Sequence, residues 1–368
     1  MHINIRNKMQ LQFKISDDEL YFEHAKRGRV RFIKMYKGEI FAPRHNPIKV
    51  PKETRQIFKP TPDSILNFLN KHIISQEDAK KDIAMTMYYH MHEPTFKSNK
   101  DLQSSKPIML IGPTGSGKTY MVQKACEYMD FPFVHVDTSS MVPEGIMGYS
   151  IGDLGNDILK ISENIYRAKK CVVFFDEIDK LFNSNNQYNT KVADQLLRLI
   201  EGTKLKIGED RSLELETNNM LFILGGAFQW IHDKKKHEKQ NSIYHLINKI
   251  PKKDTQISLE DLYRENIPKE LLGRMGSIVN LTNLTKDDYY KILTETENST
   301  LQKFIKKIEN HGDKVRISDE TLEKVAQKAA NSELGVRAID QILKAMFQDA
   351  LFEAPRDGFK IHTITLDC

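Results

Sequence analysis

Predominantly apolar runs alternate with helix-like segments through the middle of this chain. The four clearest runs are IMLIG at 108–112, FVHVD at 133–137, CVVFFDE at 171–177 and MLFILGG at 220–226. Strands that lack a continuous polar face are typical of a parallel sheet that helices cover on both sides. The pattern therefore predicts an α/β fold, with a parallel sheet flanked by helices, over about residues 61–282.

The segment upstream of these runs has a different pattern. LQFKI at 11–15 and RVRFI at 29–33 alternate apolar with polar residues, which predicts short strands. Prolines at positions 47, 51, 60 and 62 mark a linker that follows them. Residues 1–60 are therefore expected to form a short β-rich extension.

The segment downstream, residues 283–368, is mostly helical in its pattern. Helices are predicted over 287–307, 319–330 and 335–352, and short strands over 315–317 and 362–366. This combination predicts a second, smaller domain of the α+β class that is mostly helical.

Residues 112–119, GPTGSGKT, lie between the first apolar run and a helix-like segment. A glycine-rich turn between a strand and a helix is the context of a phosphate-binding loop, because glycine lets backbone N–H groups converge on a phosphate. Lys118 supplies charge for the β- and γ-phosphates, and the Thr119 hydroxyl can ligate Mg²⁺. The sequence therefore predicts ATP and Mg²⁺ as cofactors. The candidate residues are Gly112, Pro113, Thr114, Gly115, Ser116, Gly117, Lys118, Thr119 and Tyr120.

An acidic pair, Asp176 and Glu177, follows the third apolar run. Ligands of open parallel sheets bind beyond the carboxyl ends of the strands, which is where this pair is expected. Asp176 can then support Mg²⁺, and Glu177 can orient and deprotonate the attacking water. Together with the upstream phosphate loop, the pair predicts nucleotide hydrolysis.

Positive charge is concentrated in the N-terminal segment. Residues 1–60 carry 14 Lys and Arg against 6 Asp and Glu, a net charge of +8, whereas the whole chain is +5. The basic stretch within 26–59 could meet an acidic partner, nucleic acid or an anionic surface. A solvated face of a small β module explains the same charge, because few aromatic side chains interleave with the basic ones as base stacking requires.

Composition argues against several other classes of protein. Hydrophobic residues make up 39% of the sequence, and no apolar run approaches the length of a membrane span. The first residues lack the apolar core of a secretory signal. Three scattered cysteines without a CxxC pair argue against a zinc module or a disulfide framework, so a reducing, cytoplasmic compartment is predicted.

An ordered series of segments resembles the AAA+ ATPases of the Clp and HslU type, most closely the ClpX unfoldases. The segments are TPDSILNFLNKHIISQEDAKK (61–81), GPTGSGKT (112–119), MGYSIGDL (147–154), FFDEIDK (174–180), LLRLIEGT (196–203), MLFILGGAF (220–228), IPKELLGRMG (267–276) and ELGVRAI (333–339). The resemblance covers about residues 61–352. It implies a homo-oligomeric ring, expected to be hexameric, that hydrolyses ATP and acts on protein.

The resemblance assigns four further residues to the nucleotide. Arg274 matches an arginine finger, which would reach the γ-phosphate held by a neighbouring subunit and stabilise charge on the phosphoryl oxygens. Arg337 matches a second sensor, an arginine of the small domain that contacts nucleotide in its own subunit. Ile73 and Ile74 match the apolar wall of the adenine pocket, and a purely packing role explains these two as well.

Tyr149 matches the aromatic residue of the family's pore loop, which grips a polypeptide without sequence specificity. The match is imperfect, because Ser150 and Ile151 stand where the family has Val and Gly. A structural tyrosine is the alternative interpretation.

Two departures from the family bear on partners. Residues 1–60 hold no cysteine, whereas ClpX usually starts with a four-cysteine zinc domain that recruits substrates. No Ile/Leu-Gly-Phe tripeptide, the family's docking motif for the peptidase ClpP, occurs between residues 228 and 267. Pairing with a ClpP-type peptidase is therefore doubtful.

The sequence thus predicts a ring-forming ATPase that pulls polypeptide through a central pore. Two other functions stay open. One is a motor or loader that acts on nucleic acid, which the basic N-terminal segment favours and Tyr149 disfavours. The other is a non-proteolytic assembly factor for one dedicated complex, which the missing docking tripeptide favours.

Overall fold

The computed structural model describes residues 60–92, 106–144, 146–183, 186–208, 213–237, 256–265, 267–356 and 359–366 with their side chains. It describes the backbone alone for residues 93–96, residues 238–241 and six strands before residue 50. The chain separates into two compact units, Met1–Lys59 and Pro60–Cys368.

The first unit contains a six-stranded sheet whose strands pair in chain order. The strands are β1 His2–Ile5, β2 Met9–Ser16, β3 Glu19–His24, β4 Val30–Tyr36, β5 Glu39–Phe41 and β6 Ile48–Lys49. Every neighbouring pair is antiparallel. The strands predicted over 11–15 and 29–33 therefore form, in β2 and β4. The side chains that carry the basic charge of 26–59, and with them the predicted acidic or nucleic-acid partner, lie outside the described residues.

The second unit begins with two helices and continues as an α/β sheet. Its elements are α1 Pro62–His72, α2 Glu77–Phe96, β7 Ile108–Ile111, α3 Lys118–Met129, β8 Phe133–Asp137, α4 Ile151–Ser162, α5 Ile165–Ala168, β9 Val172–Asp176, α6 Gln187–Glu201, β10 Lys204–Ile207, β11 Leu213–Glu216, β12 Leu221–Gly226, α7 Gln229–Asn241, α8 Leu259–Arg264, α9 Lys269–Arg274 and β13 Ser277–Asn280. Five strands form one parallel sheet in the order β13-β7-β12-β9-β8. The predicted fold class is confirmed.

Both faces of this sheet are buried, as the apolar runs predict. Met109 and Ile111 of β7 pack into one core with residues of α4 and α6. Ile108 and Leu110 alternate with them and pack into a second core with α1, α2 and α3. All four side chains are at most 2% exposed, and full burial of one such side chain stabilises a fold by about 1.5–3 kcal/mol.

The fifth strand, β13, is not among the sequence-predicted strands. It is an edge strand of four residues, SIVN, in which only Val279 is buried. A short, half-polar segment carries too weak a pattern for sequence-based assignment. Its position matters, because β13 pairs with β7 and the chain then leaves the sheet towards the small domain.

The C-terminal part of this unit is a smaller, mostly helical bundle with its own core. Its elements are α10 Lys286–Thr294, α11 Thr300–Glu309, β14 Lys314–Ile317, α12 Asp319–Ala330, α13 Arg337–Glu353 and β15 Ile361–Ile364. The single helix predicted over 287–307 is wrong, because the structure has two. Asn298 has a left-handed φ of 57°, and the Ser299 side chain caps the second helix by accepting from Gln302 N.

The lysine-rich run that starts at Lys234 begins within α7. Lys235 lies on this helix, and its Nζ donates to Asp261 Oδ2 at 2.5 Å, which ties the helix to α8. Residues 242–255 lie outside the described residues. Among the helices of the described part, none is both long and apolar enough to cross a membrane.

Candidate active site

The loop after β7 has the backbone geometry of a phosphate cradle. Gly115 and Gly117 have φ values of 75° and 94°, which L side chains rarely adopt. Gly117 immediately precedes α3, and no side chain caps that helix, so its first N–H groups are available to an anion. Ser116 Oγ is buried and has no hydrogen-bond partner among the described residues. An uncapped helix start beside an unsatisfied buried hydroxyl fits a bound phosphate.

Lys118 is the first residue of α3, and its side chain is buried beside this loop. Its Nζ donates hydrogen bonds to the carbonyl oxygens of Gly112, at 2.7 Å, and Pro113, at 3.1 Å. Burial lowers the pKa of Lys118, and the carboxylates of Asp176 and Asp179 act against this effect. A largely desolvated cation at a helix start is well suited to a polyphosphate.

Asp176, at the end of β9, meets Thr119 at the base of the cradle. The Thr119 hydroxyl donates to Asp176 Oδ2 at 2.9 Å, and His135 Nε2 lies 3.4 Å from the same oxygen. Burial acts to raise the pKa of Asp176, but hydrogen bonds from His135, Thr119 and the Glu177 N–H, together with the charge of Lys118, lower it overall. An ionised carboxylate beside a hydroxyl fits Mg²⁺, which takes its remaining ligands from phosphate and water.

Glu177 follows Asp176 in a left-handed conformation with a φ of 56°. Non-glycine residues in this region are uncommon and concentrate at functional sites. Its side chain is 42% exposed, and Oε2 accepts a hydrogen bond from Lys180 Nζ at 2.5 Å. The carboxylate is therefore open to water while its position is held from one side by a cation.

Asp179 was not singled out by sequence analysis, although it belongs to the same DEID segment. Its side chain is buried, and Oδ2 accepts from the Phe228 N–H at 3.1 Å. Burial raises the pKa of Asp179, although hydrogen bonds from the N–H groups of Phe228 and Ala227 act to lower it. Phe228 itself has a φ of 49°. Asp179 thus fixes the turn after β12, next to the strand end that carries Asp176.

The small domain reaches the phosphate loop directly. The Val336 N–H donates to the Gly115 carbonyl at 3.2 Å. A methyl group added to Gly115 would collide with the Leu334 carbonyl oxygen and lie 2.8 Å from the Gly335 Cα. Arg337 begins α13 immediately after this contact, and its charge contributes to lowering the Lys118 pKa. The structure therefore brings Arg337 into the same electrostatic environment as the phosphate loop.

The segment after α1 links the predicted adenine wall to the start of the small domain. Ile73 is buried in the second core, and Ile74 is half-buried. The next residue but one, Gln76, clamps Thr282: its Nε2 donates to the Thr282 carbonyl at 2.8 Å, and its Oε1 accepts from the Thr282 N–H at 2.9 Å. Ser75 Oγ donates to Asp288 on α10. Sequence analysis gave no role to Ser75 or Gln76.

Arg274 lies apart from the phosphate loop of its own subunit. It is the last residue of α9, 56% of its side chain is exposed, and its Nη2 donates to Glu201 Oε1 at 2.7 Å. None of its contacts among the described residues reaches Lys118 or Thr119. The exposed guanidinium is accessible to a neighbouring subunit, and its action on that subunit stays a prediction.

Tyr149 also lies apart, in the loop between β8 and α4. Its ring packs against the first core, and its hydroxyl donates to Asp157 Oδ2 at 3.0 Å. Burial, followed by this hydrogen bond, raises the pKa of Tyr149. Within the subunit Tyr149 therefore has a packing role, and its contact with a polypeptide stays a prediction.

Comparisons with known proteins agree with this geometry. The family description "AAA domain (Cdc48 subfamily)" matches residues 103–278, and "C-terminal, D2-small domain, of ClpB protein" matches residues 284–363. The ATP-dependent Clp protease ATP-binding subunit ClpX of Bacteroides fragilis is 30% identical over 336 residues, which cover 84% of this chain and 80% of that protein. The ClpX of Treponema denticola is 29% identical over 326 residues, 80% of this chain and 78% of the relative.

This chain belongs to the ClpX family of AAA+ ATPases. As a Clp-type ATPase it is an ATP-hydrolysing enzyme, and its parallel sheet and helical C-terminal bundle are those expected of the family. The structure gathers Lys118, Thr119, Asp176 and Glu177 around one loop and brings the Arg337 segment onto it. Two sequence-predicted residues of this Clp-type ATPase, Arg274 and Tyr149, lie elsewhere on the subunit.

Proposed function

We propose that this Clp-type ATPase is a ring-forming protein unfoldase that couples ATP hydrolysis to pulling polypeptide through a central pore. The observation that carries the proposal is the contact between Gly115 of the phosphate loop and residues 334–336 of the small domain. A change at the γ-phosphate position alters the surroundings of a loop on which the small domain rests directly. The nucleotide can therefore set the angle between the two domains.

The chemical step is divided among the residues at the strand ends. Asp176 and Thr119 would hold Mg²⁺, which would neutralise part of the negative charge of the phosphates. Lys118 supports the β- and γ-phosphates. Glu177 accepts the proton of the attacking water, as a general base positioned by its left-handed backbone.

We propose that the site is completed in trans by Arg274, in a homo-oligomeric ring of six subunits. Its exposure and its pairing with Glu201, rather than with a residue of its own phosphate loop, support this arrangement. The proposed large domain spans 61–282 and the small domain 283–368, with Arg337 as the small domain's contribution in cis. The match of residues 284–363 to the small domain of ClpB supports that boundary. The scattered cysteines support a cytoplasmic location.

Whether the ring feeds a peptidase is a separate question. The relatives are named as subunits of an ATP-dependent protease, yet residues 229–266 contain no Ile/Leu-Gly-Phe tripeptide. We therefore propose a ring that works without a ClpP-type peptidase, as an assembly or remodelling factor. Stable co-elution with such a peptidase in ATP would contradict this part of the proposal.

The nucleic-acid alternative rests on the basic segment 26–59 alone. It predicts that single- or double-stranded DNA or RNA stimulates ATP hydrolysis, with a strong dependence on salt. The protein-unfoldase proposal predicts stimulation by unfolded polypeptide instead. Steady-state ATPase assays with each additive separate the two.

The direct test is ATP-dependent unfolding. A green fluorescent protein that carries an unstructured tail should lose its fluorescence in the presence of the wild-type protein and ATP. It should keep its fluorescence with Lys118→Ala. Hydrolysis of ATP without loss of fluorescence, for tails of several compositions, would contradict the unfoldase proposal. Purification of Glu177→Gln rings from the native host would then identify the bound substrate.

A further inference from the structure

His135 lies on β8, beside the carboxylate that ends β9. In this parallel pair of strands, His135 is in register with Phe174, and Asp137 is in register with Asp176. Residues two apart on a strand share a face of the sheet, so His135, Phe174 and Asp176 lie on the same face. The His135 ring stacks on Phe174, with 5.9 Å between the ring centroids and 20° between the planes. The pairing of two strands therefore brings an imidazole to the candidate cation site.

Three hydrogen bonds orient the Asp176 carboxylate. Oδ1 accepts from the Glu177 N–H at 3.0 Å, and Oδ2 accepts from the Thr119 hydroxyl at 2.9 Å. His135 Nε2 lies 3.4 Å from Oδ2, which makes a long hydrogen bond. An ionised carboxylate can only accept, so Nε2 carries the hydrogen in this contact.

The three donors differ in what they can do once a divalent cation is bound. Thr119 is itself a candidate ligand of the cation, and the Glu177 N–H belongs to the backbone that directly follows the carboxylate. His135 comes from a separate strand, and a ring nitrogen that bears hydrogen has no lone pair for a cation. Among these three donors, His135 is therefore the side chain that can orient the carboxylate without becoming a ligand.

The exposure of the two side chains fits this division. The Asp176 side chain is 16% exposed, whereas that of His135 is 44% exposed. The backbone of Asp176 is held independently by the Thr138 hydroxyl, which donates to the Asp176 carbonyl at 2.8 Å. Replacement of His135 is therefore expected to leave the end of β9 in place and to free only the carboxylate.

We infer that His135 is a positioning residue for the divalent cation: its N–H holds the Asp176 carboxylate in the orientation in which it serves Mg²⁺ bound together with ATP. The inference rests on the proposed Mg²⁺ site of Asp176 and Thr119, and it is independent of protein unfolding. Mg²⁺ demands near-ideal octahedral geometry, so a misdirected carboxylate weakens its binding. Removal of an outer-shell partner typically changes metal affinity by about 10–100-fold.

The first test measures the coupling between cation and nucleotide in the absence of hydrolysis. On a Glu177→Gln background, the Kd of a fluorescent ATP analogue is measured in Mg²⁺ and in EDTA, and the readout is the EDTA value divided by the Mg²⁺ value. His135→Phe keeps a ring against Phe174 but has no N–H, so it should lower this ratio by about tenfold or more. Its Kd in EDTA should stay within about twofold of the parent value, because the phosphate loop is unchanged.

Two further variants control for the ring and for histidine substitution in general. His135→Gln offers an amide N–H donor without an aromatic ring, so its ratio should stay within about threefold of the parent ratio. His311→Phe is the matched control, because His311 is an exposed histidine in the turn between α11 and β14; its ratio should equal the parent ratio.

The second test uses the chain with its native Glu177. The readout is the free Mg²⁺ concentration that gives half the maximal ATPase rate at a fixed ATP concentration. His135→Phe should raise this concentration by about tenfold, while the rate at saturating Mg²⁺ stays within about threefold of wild type. A lower rate at saturating Mg²⁺ with no shift in the Mg²⁺ requirement would contradict a positioning role.

The outcomes distinguish the inference from the proposed Mg²⁺ site. An unchanged ratio in His135→Phe would overturn the inference and leave the Mg²⁺ site standing. A ratio as low in His135→Gln as in His135→Phe would also overturn it, because the N–H would then not be the group that matters. Weaker binding of the analogue in EDTA would assign His135 to the architecture of the loop instead. If the Glu177→Gln parent binds the analogue equally in Mg²⁺ and in EDTA, the proposed Mg²⁺ site fails, and the inference with it.

Discussion

Arg274 and Glu201 are the last residues of two neighbouring helices, α9 and α6, and their side chains form an ion pair with Nη2 2.7 Å from Oε1. A carboxylate at the end of a helix meets the negative end of its dipole, so the guanidinium compensates an otherwise unfavourable charge. Both side chains remain partly exposed, at 56% and 38%. The pair holds the Arg274 side chain in one orientation at the surface of the subunit.

We expect Glu201→Gln to slow ATP hydrolysis through Arg274 without abolishing it. The amide accepts a weaker hydrogen bond, so the guanidinium samples more orientations and meets the neighbouring site less often. The maximal rate should fall by about three- to tenfold with little change in the ATP concentration at half-maximal rate, whereas Arg274→Ala should cost at least about 10²-fold. A Glu201→Gln variant whose only change is weaker nucleotide binding would contradict a positioning role.

Mixed rings test the action of Arg274 in trans. Rings of Arg274→Ala alone and rings of Glu177→Gln alone should hydrolyse ATP poorly, while mixtures should recover part of the activity. Recovery is expected because some interfaces then combine an intact Glu177 with an intact Arg274 from the next subunit. The measurement is the ATPase rate against mixing ratio. A monomer that is fully active at every protein concentration would remove the shared site.

Glu177→Gln should separate nucleotide binding from hydrolysis. Lys118, Thr119 and Asp176 remain, so binding of a fluorescent ATP analogue should be retained, while loss of the general base lowers the rate by about 10²–10⁴-fold. Lys118→Ala is the complementary variant and should weaken nucleotide binding itself. Parent-rate hydrolysis by Glu177→Gln would show that another group accepts the proton.

Gly335→Ala should uncouple the small domain from the phosphate loop. Gly335 has a φ of 60°, and a methyl group there would lie 2.8 Å from the Thr114 carbonyl oxygen and 2.9 Å from the Gly115 Cα. Gly312→Ala is the matched control, because its φ is 91° but nothing lies within 4 Å of the added carbon. Both variants carry backbone strain of about 1–2 kcal/mol, so loss of ATPase activity only in Gly335→Ala isolates the collision. Equal activity in the two would refute the coupling.

Acid should destabilise the small domain through Asp313. The buried carboxylate Oδ2 lies 2.7 Å from His362 Nε2, and this hydrogen bond holds the pKa of Asp313 below its ordinary value. A lowered folded-state pKa adds stability above the ordinary pKa of about 3.9, and that stability disappears as the pH falls through the folded value. The free energy of unfolding, measured with urea at pH values from 5 to 3, should therefore fall more steeply with decreasing pH for wild type than for Asp313→Asn. Parallel curves would exclude the contribution.

Local sequence order predicts those parts of the site that follow strands directly. The phosphate loop follows β7 and the acidic pair ends β9, so chain neighbours are also neighbours in space. The contact between Glu201 and Arg274 spans 73 positions, and the clamp of Gln76 on Thr282 spans 206. Such pairs depend on tertiary packing, which no local pattern specifies. The motif likewise gives the identity of Tyr149 but not the carboxylate of Asp157, which accepts a hydrogen bond from its hydroxyl.

The left-handed pair Ser75 and Gln76, with φ values of 58° and 61°, has a further consequence. It ties the segment beside the predicted adenine wall to both Thr282 and Asp288, on either side of the link between the two domains. Rotation of the small domain must then either move the segment of Ser75 and Gln76, beside the predicted adenine wall, or break its hydrogen bonds to that segment. By thermodynamic linkage, if nucleotide shifts the equilibrium between two orientations of the small domain by some factor, the two orientations differ in nucleotide affinity by the same factor. If the proposed unfolding activity is correct, a polypeptide that stalls and holds the small domain in place would alter the nucleotide affinity of the same subunit.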